Sequence, residues 1–150
     1  MERQKADFFI KRYQLEHLVP LALTILSVYF WLVSYRPQLT YLIGIVINVV
    51  GLGVWWAAKI TLAGNWDAGY GQPKIKKLVT WGIYAKIRHP LYWGINITLI
   101  GLSLIHLNLI LSVISLIIVI YFFSRMRAED AFLLNQLGAE YSDYKKKTWI

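Results

Sequence analysis

Residues 18–35, "LVPLALTILSVYFWLVSY", contain no charged side chain. At 1.5 Å per residue such a helix reaches roughly 27 Å, enough to cross a thin hydrocarbon core. Three more apolar runs follow, at about 39–61, 91–105 and 109–123. A water-soluble fold has no use for four such runs in 150 residues, only 16% of them charged. The expected architecture is therefore all-α: one integral membrane domain with four transmembrane helices, a linker at 62–90 and a tail at 124–150. The last two runs are short and joined by "HLN", so a closely paired antiparallel hairpin is expected there.

Charge gives the orientation. The N-terminal arm holds four Lys and Arg, Lys59 with the linker six and the tail five, whereas the turn at 36–38 holds only Arg36 and the turn at 106–108 none. Fifteen cations against one predicts that both termini and the linker are cytoplasmic. The formal net charge of +8 is distributed as topology signals, which removes the case for a nucleic-acid partner. Cysteine is absent, excluding disulfides, thiolate metal sites and a cysteine nucleophile. The opening "MERQKADFFIKRYQLEH" is too long and mixed in charge to be a secretory signal. Trp55, Trp56 and Lys59 suit an interfacial belt, and Asn48 and Asn96 suit hydrogen bonds between spans.

In the tail, Ala131, Leu134 and Leu137 recur at helical spacing, which predicts an amphipathic helix following the fourth span. Gly138 would end or bend it, and "AEYSDYKKK" would form a second short helix with Tyr141 and Tyr144 on one side.

The polar chemistry gathers on one side. Because the third and fourth runs turn back at "HLN", Arg88 and His89 at the start of one must approach Arg125, Glu129 and Asp130 at the end of the other. Each has an ordinary explanation. Arg88 can snorkel to headgroups, Pro90 suits a first helical turn, and Arg125–Glu129 and Arg127–Asp130 can be surface pairs on one helix. Together they place two cations, a histidine and two carboxylates around one cleft.

"LVTWGIYAKIRHPLYWG" followed after two spans by "RAEDAFLLNQLGAEYSDYKKK" closely resembles the isoprenylcysteine carboxyl methyltransferase and phospholipid methyltransferase superfamily of membrane enzymes. There the pattern runs "LVTSG-Y---RHP-Y-G", then "EE--L---FG-EY--Y". "GNW" at 64–66 is similar to the preceding segment of many bacterial members. The resemblance covers about residues 62–147. Asp130 stands in place of the second glutamate, Leu137 in place of phenylalanine and Trp81 in place of a small hydroxyl residue.

The resemblance implies S-adenosyl-L-methionine as cofactor, held by the positions matching Lys76, Lys77, Leu78, Val79, Tyr84, His89, Pro90, Leu91, Tyr92 and Glu129. It implies that the position matching Arg125 faces the methyl acceptor. On that reading His89 and nearby backbone amides meet the cofactor's carboxylate at a helix start. Glu129 accepts from its ammonium or ribose, Tyr84 and Tyr92 offer faces to its sulfonium, and Leu78 and Val79 line an adenine slot. No metal is required. The acceptor is expected to be a lipophilic small molecule or lipidated substrate meeting the site from among membrane lipid. A carboxylate, an amine, a thiol or an isoprenoid would each serve; for an amine, Asp130 is a candidate to take the proton. A prokaryotic inner membrane is the expected location. Two other functions compete. One is an NADPH-dependent reductase similar to sterol reductases, which binding of NADPH would reveal. The other is a non-enzymatic scaffold using its basic tail on anionic lipid.

Overall fold

The computed structural model describes residues 39–62 and 78–149, together with seven helical residues between 22 and 33. The N-terminal arm, most of the first run, the turn at 36–38, "GNW", Lys76 and Lys77 lie outside the described residues. From residue 39 onward the described residues form four helices and one 3₁₀ turn: α1 (Leu39–Leu62), the 3₁₀ turn (Gly82–Ala85), α2 (Pro90–His106), α3 (Leu109–Leu137) and α4 (Ala139–Lys147). Two of them, α1 and α3, are long and apolar enough to cross a membrane.

The tightest packing joins α1 to α2. They run antiparallel with Tyr41 packed on Leu102 and Ile105 at one end and Trp55 packed on Gly94 near the other. Small residues make this approach possible. A Cβ on Gly51 would collide with the backbone N of Thr98, and one on Gly101 would stand 2.5 Å from the backbone N of Asn48. Gly44 and Gly94 complete a pattern in which each helix offers two glycines seven residues apart. Such contact lets backbones touch where lipid-like surroundings supply no hydrophobic drive between helices. Asn48, fully buried, donates from Nδ2 to the carbonyl of Thr98 at 3.2 Å, as a polar tie between helices should.

Three expectations require correction. The closest pair is α1–α2, while α3 leans on α2 more loosely, because the glycines lie on the α1–α2 seam and α3 presents Ile118, Val119 and Phe122 instead. The tail does not begin a separate helix: α3 continues unbroken from Leu109 through Asp130 to Leu137, since Ser124 to Ala128 contain no Gly or Pro to interrupt it. Its 29 residues reach roughly 44 Å, more than a hydrocarbon core requires. Finally, Trp55 is core rather than belt. It is buried against Ile95 and Leu99, and the exposed member of the pair is Trp56. Lys59 lies over both rings, 4.9 and 5.8 Å from their centroids.

The turns follow their local chemistry. Leu107 takes a left-handed conformation after α2, and Asn108 caps α3 by accepting from the Leu111 N–H at 3.1 Å. Gly138 separates α3 from α4 with φ 54° and ψ −119°, a backbone region suited to glycine. Its N–H donates to the carbonyl of Leu134 at 2.9 Å. That sharp turn folds α4 back toward the start of α2.

Candidate active site

His89 precedes α2 as its N-cap residue, with Pro90 at the first helical position. Pro90 has no N–H to leave unsatisfied there, and its ring fixes the φ that the helix needs. The side chain of His89 is buried, and both ring nitrogens face carboxylates of α3. Nε2 is 2.7 Å from Asp130 Oδ1; Nδ1 is 3.9 Å from Glu129 Oε2.

Asp130 is the hub. Its Oδ1 also accepts from the Tyr141 hydroxyl at 2.5 Å. Its Oδ2 faces Lys145 Nζ at 3.2 Å and Arg88 Nε at 3.9 Å, the latter an ion pair too long to be a hydrogen bond. The carboxylate therefore turns across to α4 and the RHP segment rather than along its own helix to Arg127. Asp130 lies beyond the uncharged stretch of α3 that ends at Phe123 and Ser124. Burial opposes its ionisation, but the hydrogen bonds from Tyr141 and His89, the His89 charge and Lys145 together hold its pKa below the usual carboxylate value.

α4 clamps the same segment. The Tyr144 hydroxyl donates to the backbone carbonyl of Tyr84 at 2.7 Å. Arg88 Nη1 donates to the Lys145 carbonyl and to Thr148 Oγ1, each at 3.3 Å. The Trp149 N–H donates to the Lys86 carbonyl at 2.9 Å. Burial raises the phenols: Tyr144 to about 12, Tyr141 further with help from the Asp130 hydrogen bond, and Tyr84 further with help from Glu129. All three remain protonated near neutrality.

The other sequence-derived residues sort by exposure. Glu129 is 42% exposed, whereas Asp130, at 18%, is largely enclosed. Arg125 is half-buried, one helical turn before Glu129. Tyr92 is half-buried, its ring 6.0 Å from that of His89 and 5.4 Å from that of Phe122. Leu78 and Leu91 are half-buried, and Pro90 is fully enclosed. Val79 and Tyr84 pack with Ala58 in a small core cluster, with Leu91 against it. Asn96, expected to bond between helices, is instead buried with neither amide atom hydrogen-bonded among the described residues. No cluster of metal-ligating side chains occurs among the described residues.

Sequence reasoning placed Arg88, His89, Glu129 and Asp130 together correctly, but did not foresee that α4 would supply Tyr141, Lys145 and Thr148 to the same group. The signal was present in the tyrosine spacing, since Tyr141 and Tyr144 share the buried side of α4.

The family model described as "Phospholipid methyltransferase" matches residues 39–140, which include α1, the RHP segment, the glutamate–aspartate pair and the turn into α4. The chain belongs to the phospholipid methyltransferase family. Family relatives include two yeast proteins named protein-S-isoprenylcysteine O-methyltransferase. The Schizosaccharomyces pombe protein is 38% identical over 71 residues, covering 47% of this chain and 30% of the relative. The Saccharomyces cerevisiae protein is 39% identical over 74 residues, covering 49% and 31%. A Mus musculus protein of the same name is 32% identical over 151 residues, covering 94% of this chain and 52% of the relative. The chain thus spans about a third of the yeast relatives' length and half of the mouse one's. No solved structure matches it.

Proposed function

We propose that this family member transfers a methyl group from S-adenosylmethionine to a lipophilic, membrane-dissolved acceptor. The observation that carries this reading is the convergence of partly exposed Glu129 and of Tyr92 on His89 at the start of α2. The chemistry of the groups suits the cofactor. Glu129 offers an acceptor for an ammonium or hydroxyls, and the Tyr92 face suits a sulfonium. The first N–H groups of α2 suit a carboxylate, because they have no partner within the helix.

Lys76 to Val79, Tyr84, His89 to Tyr92 and Glu129 would hold the cofactor. Bound there, it supplies an electrophilic methyl group. The chain's own work is positional: to hold donor and acceptor in line and to exclude water. The relatives' name favours a carboxylate acceptor, which is itself the nucleophile and requires no base. Arg125 would orient it through a charge-assisted pair. Asp130 is a poor proton acceptor for the alternative amine chemistry, because its oxygens are already occupied by His89, Tyr141 and Lys145.

The same reading places the domain in a membrane with four spans, α1 and α3 among them, and with both termini and the linker on the cytoplasmic side. Family membership weighs against the reductase and scaffold alternatives. Calorimetry with S-adenosylhomocysteine on detergent-purified protein tests the proposal. Binding in the micromolar range is expected, lost in His89→Ala and Glu129→Ala. A folded wild type that binds NADPH and not S-adenosylhomocysteine would sink it.

A further inference from the structure

We propose that Asn96 selects the methyl acceptor. Its buried amide holds an uncharged hydrogen-bonding group, an amide or a hydroxyl, that the lipophilic acceptor carries beside its methylated carboxylate. The proposal rests on the methyl-transfer reading above and adds a second polar group to the acceptor.

Asn96 is 1% exposed, and neither Nδ2 nor Oδ1 has a hydrogen-bond partner among the described residues. Its polar neighbours are provided for. Asn48 donates to the Thr98 carbonyl at 3.2 Å, and Thr98 and Ser103 donate to carbonyls one turn back along α2, at 2.9 and 3.0 Å. An amide shut away with both ends idle destabilises a fold. The helix gains nothing from it either, since asparagine is among the weaker helix formers. Packing alone therefore gives no reason for an asparagine at this position, and a bound molecule does.

Its place on α2 says which molecule. The face toward α1 carries Gly94, Thr98, Gly101 and Ile105, and Asn96 lies across the helix from it. It shares its own side with Tyr92, one turn earlier, and Leu99, one turn later. Both of these meet α3. The Tyr92 ring is 5.4 Å from that of Phe122, and Ile118 and Val119 pack against the cluster that contains Leu99. Asn96 is thus on the α3 side of α2, roughly 6 Å further along the helix than Tyr92, away from His89 and toward the apolar length of α3. Arg125 stands three residues after Phe122. With its reacting end between Tyr92 and Arg125, an acceptor must run its hydrocarbon part in the direction of Asn96. This is also the side of α2 able to part, because the α1 side is closed by backbone contact.

Chemistry restricts the group. The acceptor's carboxylate belongs to Arg125, so Asn96 takes an uncharged partner. Nδ2 donates and Oδ1 accepts; an amide or a hydroxyl can use either end, and plain hydrocarbon leaves both idle. A site that hydrogen-bonds a substrate group rejects the analogue lacking it more strongly than a site that reads size alone.

The test uses the full chain in detergent with two matched acceptors, N-acetyl-S-farnesylcysteine and S-farnesylthiopropionate. They are the same prenylated carboxylate with and without an acetamido group. Methyl transfer from S-adenosylmethionine gives kcat and KM for each. The wild type is expected to favour the acetamido acceptor by about tenfold in kcat/KM. Asn96→Leu should abolish or reverse that preference, with wild-type affinity for S-adenosylhomocysteine and a thermal melt no lower. Asn96→Gln, which keeps an amide on a longer stem, should retain a preference of the same sign. Equal kcat/KM for the two acceptors in the wild type overturns the proposal, and so does a preference that survives in Asn96→Leu. Loss of S-adenosylhomocysteine binding in folded Asn96→Leu assigns the amide to the cofactor and overturns it as well. Cofactor binding with neither acceptor methylated overturns the acceptor assignment alone. A folded wild type that binds no S-adenosylhomocysteine overturns the methyl-transfer reading itself.

Discussion

The α1–α2 seam and the junction of α2 with α3 and α4 are both helix contacts, but they are built from opposite materials. Along the seam, glycines bring backbone onto backbone, and only Asn48 contributes a described polar tie. At the junction the helices stay apart, and long polar side chains bridge the space: Asp130 to His89, Tyr141 and Lys145, Tyr144 to Tyr84, Arg88 to Thr148. A seam without side chains cannot adjust or admit a ligand. A junction of side chains can do both, so the half-open Glu129 lies there. One helix, α2, serves both: its glycine face fixes it to α1, and its first turn carries His89.

Substitution should expose the difference. The largest effect is expected at the seam, where Gly51→Val sets a branched side chain against the Thr98 backbone. Neither helix can yield without losing contact along its length, so a loss above about 3 kcal/mol is expected, read as a collapsed thermal melt in detergent. A melt that barely moves would show the seam to be plastic and erase the contrast. Next comes Asp130→Ala, which strands buried His89 and removes the partner of two cations. About 2–3 kcal/mol is expected, confined to α4 and the RHP segment in hydrogen exchange while α1 stays protected.

Acid gives a related result. Because the folded pKa of Asp130 is depressed, its contribution is present above the ordinary carboxylate value of about 3.9 and lost as pH falls below it through the folded value. Tail protection should therefore fade below about pH 4, and less so in Asp130→Asn. Tyr144→Phe removes one hydrogen bond, the one to Tyr84, at a cost of about 1 kcal/mol. The smallest effect is expected for Asn96→Leu: a buried amide without a described partner is replaced by an apolar side chain of similar size, so stability should hold or rise by up to about 1 kcal/mol. A marked loss would mean that the amide has work to do in the bound state or with the first run.

The sequence was informative where the signal is one-dimensional. Apolar runs located α1 and α2 to within a residue or so, Pro90 marked a helix start and Gly138 a helix end. The hairpin at "HLN" was enough to bring Arg88 and His89 to Glu129 and Asp130. It was less informative where partners must choose among equals. Four similar apolar runs do not declare which pair packs closest; the paired glycines showed α1 against α2, but only once the register set Gly51 against Thr98 and Gly101 against Asn48. The reach of α4 was hidden for another reason. A tail rich in lysine reads as solvated, and nothing local says that a turn at Gly138 will bring Lys145 to Asp130. Trp55 was misplaced because an indole near a lysine suits an interface and a core equally well.

The unbroken course of α3 has a mechanical consequence in the proposed membrane setting. Glu129 and Asp130 ride on a rod that also spans the apolar layer, while His89 belongs to a helix locked to its neighbour. A thinner bilayer tilts a long rod more than it disturbs a locked pair. Bilayer thickness would then set the gap between the carboxylates and the imidazole, making the lipid around this protein a regulator of its site as well as its solvent.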